Sequence, residues 1–141
     1  MRMSKTYDDY LLMKDAGLVA ASAAAQIGGA DHIEDLGSGL IEADLVIDVS
    51  AIEIASGDEI YNICVQVSSK SNFADTIQTV AKLELGAATP LMGDVASNMG
   101  RYVLPFRNEF CGTIYRYARV YTLVAGTVAT GINYTAFMAR K

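Results

Sequence analysis

The residues with the material for chemistry are few: one histidine, two cysteines and sixteen carboxylates in 141 residues. His32 stands in Asp31-His-Ile-Glu-Asp, where an imidazole beside carboxylates offers the ligand types of a metal site. A single imidazole among sequence neighbours lacks the spacing that wraps ligands around one ion, so an exposed acidic turn is expected. Nor does one histidine without a nearby serine or cysteine pattern supply a nucleophile and its base. Cys64 and Cys111 are too far apart in the chain for a metal motif or a disulfide scaffold, and read as reduced packing residues. Gly37-Ser-Gly lacks the third glycine and the following helix of a phosphate-binding loop, and reads as a turn. Asn133-Tyr-Thr matches a glycosylation acceptor but lies within a strand pattern. The expectation is a chain that is not an enzyme, with no catalytic residue, no metal and no cofactor.

The more telling pattern is Ile114-Tyr-Arg-Tyr-Ala-Arg-Val-Tyr-Thr-Leu-Val. Read at period two, it puts Tyr115, Tyr117, Arg119 and Tyr121 on one strand face and Arg116, Ala118, Val120 and Thr122 on the other. Tyrosine and arginine combine large contact area with hydrogen bonding, which suits a protein interface. Two other readings use the same residues: tyrosines filling a sandwich with hydroxyls at its margin, and a stacking platform for single-stranded nucleic acid. The candidate interface set is Tyr115, Tyr117, Arg119 and Tyr121, joined by Arg101, Arg107, Leu18 and Val19.

The elements that must position this face are β-strands. Leu45, Ile47 and Val49 alternate with Asp44, Asp48 and Ser50, and Ile52 and Ile54 precede a turn at Ser56-Gly57-Asp58. Tyr61, Ile63, Val65 and Val67 alternate with Asn62, Cys64, Gln66 and Ser68, the cleanest half-buried strand in the chain. Residues 69–72 form a turn closed by Phe73, expected to fold back onto the core. Ile77 to Leu85 alternates again, and residues 86–100 are broken into a loop by glycine, proline and asparagine. Val103 to Phe106 carries Pro105, which cannot donate to a ladder and marks an edge or bulge. Strands at Tyr115–Val124 and Ile132–Met138 finish the chain. The count of seven or eight strands predicts an all-β domain over residues 37–141, at a spacing typical of an antiparallel sandwich or barrel.

Residues 1–36 read as an N-terminal arm. Tyr7 to Lys14 has room for two helical turns. Leu18 to Ile27 is mostly alanine, which favours a helix by propensity, while its small side chains equally suit an extended segment pressed on another surface. Both readings stay open.

Composition sets the outer bounds. With 52% hydrophobic and 19% charged residues, general disorder is excluded. No run of about 18 apolar residues is present, so no membrane span is expected. The start of the chain lacks a signal core, and Asp8 and Asp9 speak against a transit peptide, so assembly in a cytoplasm is expected. The net charge of −5 is split: residues 1–60 carry twelve acidic and three basic side chains, residues 61–141 four acidic and eight basic. An acidic total disfavours nucleic acid as a partner. The split permits pairing between the halves, within one subunit or between neighbours.

In order of segments the chain resembles the capsid cement, or decoration, proteins of tailed bacteriophages, of the jelly-roll kind. The matching stretches are Lys14-Asp-Ala-Gly-Leu-Val-Ala-Ala-Ser-Ala-Ala-Ala, Asp35-Leu-Gly, Val65-Gln-Val-Ser-Ser-Lys-Ser-Asn-Phe, Tyr115-Arg-Tyr-Ala-Arg-Val-Tyr, and Gly126 through Gly131 to Ala136-Phe. The departure is an added acidic, isoleucine-rich stretch at 41–54, which would lengthen a loop or add a strand. The resemblance implies a virion protein on the capsid exterior, without enzymatic activity or cofactor. It implies as partners the major capsid protein and the chain itself, as a homodimer or homotrimer, and neither nucleic acid nor membrane. A different class of function, a ligand- or carbohydrate-binding β-sandwich module, has tyrosines and loop acids in its favour and the lack of tryptophan against it.

Overall fold

A computed structural model of the chain describes residues 9–88 and 97–140. Its strands are β1 (Leu12–Lys14), β2 (Leu18–Val19), β3 (Ala23–Ala24), β4 (Gln26–Ile27), β5 (Ala30–Asp31), β6 (Glu34–Asp35), β7 (Glu42–Ile52), β8 (Ile60–Ser68), β9 (Gln78–Gly86), β10 (Gly100–Arg107), β11 (Glu109–Phe110), β12 (Thr113–Ile114), β13 (Tyr117–Ala125) and β14 (Ile132–Arg140). Every pairing is antiparallel. The first sheet runs β1-β14-β7-β10, with β2 also on β14; the second runs β3-β13-β8-β9, with β6 also on β13. The two sheets pack face to face, and the chain is an all-β sandwich.

The alternation seen in sequence is what closes it. In β8, Tyr61, Ile63, Val65 and Val67 are buried in the core, as are Ala118 and Val120 of β13. Leu45, Ile47 and Val49 meet them from β7, with Tyr134, Ala136 and Met138 from β14. Each fully buried aliphatic side chain is worth roughly 1.5–3 kcal/mol over its exposed state. One polar link crosses this interior: the hydroxyls of Thr122 and Tyr134 hydrogen-bond, tying the second sheet to the first.

The stretch 41–54 is therefore no longer loop but supplies β7, a central strand flanked by β14 and β10. Its burial on both faces from Ala43 to Ile47 departs from simple alternation. Val46, on the face away from the core, sits opposite Phe137 and is covered there. Pro105 lies in β10, which among the described residues pairs with β7 alone and so forms an edge, where a residue lacking an N–H is tolerated.

The N-terminal segment is extended, which decides between the two readings of its alanine run. Lys14 and Leu12 pair with β14, Ala23 and Ala24 with β13, and Glu34 and Asp35 with β13 again. It thus crosses from one sheet to the other along one side of the sandwich, while β9 and β10 lie together at the opposite side. The helical turns expected over Tyr7 to Lys14 are absent from Asp9 onward: a 3-10 turn at Asp9–Leu11 leads straight into β1. Strand pairing with β14 and burial of Met13 override local propensity here. Tyr7 and Asp8 lie outside the described residues, as do 89–96 of the β9–β10 connection.

A buried ammonium pins this segment. Lys14 Nζ donates to the carbonyls of Asp15, Gly17 and Tyr134 at 2.9, 3.2 and 2.8 Å. Burial pushes the Lys14 ammonium below its usual range, partly offset by the neighbouring Asp15 carboxylate. Gly131 supports the same junction. Its φ is +87°, and a Cβ there would overlap the Val19 carbonyl. Only glycine lets β2 approach β14 this closely.

Candidate interaction surface

The outward row of β13 is Tyr117, Arg119, Tyr121 and Leu123, opposite Ser68, Gln66, Cys64 and Asn62 of β8. Strand register alone places these side chains on the solvent face of the second sheet. What assembles them is a turn. Residues 69–73 bring Phe73 back at φ +52°, and its ring lies 4.5 Å from the Arg119 guanidinium carbon. The Tyr121 ring is 5.3 Å away on the same guanidinium, and Arg119 Nε donates to Gln66 Oε1 at 2.9 Å. Arginine thus stands in an aromatic and amide cradle, a geometry that its planar fork allows and a lysine's ammonium does not reproduce. Phe73 was expected to join the core; it is buried on the outer face instead, outside the core cluster.

Arg116 extends the surface. It lies 5.5 Å from the Tyr117 ring and holds Asp35 through two bonds, Nε to Oδ1 at 2.8 Å and Nη2 to Oδ2 at 2.9 Å. The guanidinium, aided by the Gly37 N–H, holds the Asp35 carboxyl down at about 2. Beside Tyr121 an open depression of about 450 Å³ has Cys64, Ala81 and Leu123 among its walls. Burial pushes the Cys64 thiol up, with the Lys82 ammonium opposing, so this sulfur is a packing group at neutral pH.

Comparison of the sequence with models of known protein families and with curated proteins returns no match.

The candidate interface residues fall in five places. Tyr117, Arg119 and Tyr121 share the outer face just described. Tyr115 does not: β13 starts at Tyr117, and Tyr115 is 6% exposed within the core cluster. Asn108 places it there, its carbonyl accepting from Tyr115 N and its amide donating to the Tyr115 carbonyl, both at 2.8 Å. Arg101 is on the first sheet, bound to Asp48 at 2.7 and 2.9 Å and 5.7 Å from the Phe137 ring. Arg107, at the end of β10, holds Glu109 at 2.7 Å and reaches Glu42 at 4.0 Å. Leu18, 59% exposed, and half-buried Val19 sit at the β2–β14 edge.

Three of these ion pairs, Arg101–Asp48, Arg107–Glu42 and Arg116–Asp35, join the basic half of the chain to its acidic half. The charge split is thus partly resolved inside one subunit. His32, expected in an exposed acidic turn, is half-buried between β5 and β6, with Nε2 at 3.1 Å from Glu34 Oε2. Among the described residues no group of His, Cys, Asp and Glu is placed to hold a metal ion.

Gln66 and the depression beside Tyr121 were not singled out from sequence, and Phe73 was expected in the core rather than on this face. Gln66 carried a usable signal, since it alternates with the buried residues of β8. Phe73 carried none, because its position depends on a left-handed backbone that no local pattern announces.

Proposed function

We propose that this chain is a capsid cement protein of a tailed bacteriophage, which grips the outside of a shell of major capsid protein and works as a homo-oligomer without catalysis or cofactor. The observation that carries the reading is a rigid Tyr–Arg face displayed by a sandwich of one particular strand order. Taking β1–β2 as the first position and β3–β6 as the second, one sheet reads first, eighth, third, sixth; the other reads second, seventh, fourth, fifth. That order supports two interleaved Greek keys, the jelly roll implied by the resemblance. A fold alone assigns no function, so the weight passes to the surface. Tyr117, Arg119 and Tyr121, with Arg119 held by Phe73, Tyr121 and Gln66, offer large area at low entropic cost, which favours protein contact. Repetition over a symmetric shell multiplies such modest contacts through avidity.

The test is cosedimentation of the purified protein with shells of the cognate major capsid protein. Saturable binding at fixed stoichiometry, with a raised shell-disruption temperature, is expected. Shells that pellet without it would sink the reading.

A further inference from the structure

We propose that the outer face of the second sheet docks a protein segment presenting a carboxylate next to an aliphatic side chain, with Arg119 receiving the carboxylate. The inference rests on the cement reading only in taking the occupant to be protein. Arg119 is clasped by Phe73, Tyr121 and Gln66, and among the described residues only its Nε donor is engaged. A guanidinium carries five N–H donors, so the Nη1/Nη2 edge is left for a partner. No carboxylate of the described residues pairs with it, whereas Arg101, Arg107 and Arg116 hold Asp48, Glu109 and Asp35. This is charge complementarity awaiting its other half. The stacking rings have already restricted the arginine rotamers, which lowers the entropic cost of binding.

The depression beside it defines the second contact. Cys64 lies directly opposite Tyr121 in the ladder, and Leu123, 43% exposed, follows two residues on. The pocket of about 450 Å³ there is open and lined largely by apolar and small side chains. Lys82 also lines it and is paired with Glu84 at 2.7 Å. One ladder row separates Arg119 from the Tyr121–Cys64 row, roughly 7 Å for two residues of strand. An extended segment with an acid and an aliphatic residue at positions i and i+2 matches that separation. A nucleic acid backbone fits less well, since the chain carries a net charge of −5 and phosphate tracking needs clustered cations.

The experiment is selection of random peptides displayed against the intact protein, followed by affinity measurement of a selected synthetic peptide. Enrichment of Asp or Glu two positions from Leu, Ile or Val is expected. Arg119→Gln should weaken the peptide by about tenfold or more, and Leu123→Ser should weaken it through the apolar contact. Should Arg119→Gln fail to fold, replacing the acid of the peptide by its amide probes the same contact from the other side. Peptides without an acid, or affinity indifferent to these changes, overturn the site. So does tighter binding of single-stranded oligonucleotides through Arg119, or an oligomer that Arg119→Gln dissociates, since a second copy would then own the face. Cosedimentation separates the two proposals: wild-type protein that binds shells but selects no such peptide overturns the site and leaves the cement reading standing. Peptide binding without shell binding does the reverse.

Discussion

The Lys14 ammonium lies 4.4 Å from the centre of the Tyr134 ring and donates a 2.8 Å hydrogen bond to the Tyr134 carbonyl. Through the Tyr134 hydroxyl the contact continues to Thr122 on the second sheet. The N-terminal segment, the first sheet and the second sheet therefore meet in one polar line through an apolar interior. Such a line is stabilising only while every member is satisfied.

Lys14→Met tests this line. It leaves the buried Tyr134 carbonyl without its donor, and a loss of about 2 kcal/mol in urea unfolding is expected. The pH dependence gives a sharper check. The folded-state pKa of Lys14 lies below 10.5, so between the two values the unfolded chain holds more protons. The stability of the wild type relative to Lys14→Met should rise through that window, and a difference independent of pH would contradict the buried ammonium.

Alkaline unfolding should centre on tyrosine. Tyr61 donates to the Glu53 carbonyl at 2.8 Å, and burial, with the Glu53 and Glu59 carboxylates, pushes its hydroxyl up to about 12. Its contribution is fully present below pH 10 and lost as pH rises toward 12. Tyr134 is shifted in the same direction by burial. Replacing Tyr61 by phenylalanine should flatten the fall in stability over this range by on the order of 2 kcal/mol, measured against the wild type in parallel urea titrations.

Asp35 and Arg116 report on the candidate surface. With its carboxyl held at about 2, Asp35 favours the folded state above pH 3.8, and that preference disappears as pH falls toward 2. In Arg116→Gln the Asp35 titration, followed by carboxyl carbon NMR, should move up toward 3.8. It should stop short of it, because the Gly37 N–H still donates at 2.9 Å.

Gly131→Ala addresses how the leading segment docks. A methyl group at this position meets the Val19 carbonyl, and the left-handed backbone adds strain. A loss of about 3 kcal/mol or more is expected. Hydrogen exchange should speed first at Leu18 and Val19; uniform acceleration across β7 and β8 instead would show that the junction is not where the strain is released.

Local pattern made several elements legible. The alternation from Tyr61 to Val67 named both the strand and its buried face, and Pro105 marked an edge because a missing N–H is a property of the residue itself. Tyr115 marks the limit of local pattern. Extending the alternation one step too far put it on the outer face, and only Asn108, seven residues earlier, turns it into the core. The short strands β1, β2, β3 and β6 were equally hidden, since they exist only by virtue of β13 and β14, about a hundred residues away.

By itself, then, the order of residues determined that this protein is built from strands, which residues of the longest ones face inward, and where turns interrupt them, because side-chain alternation and turn chemistry act over a few neighbouring residues. Which strand lies beside which, which carboxylates Arg101, Arg107 and Arg116 take, and the closing of Phe73 and Tyr121 around Arg119 were decided only by the tertiary structure. Those contacts join residues distant in sequence, and their free energy exists only once both sheets are in register.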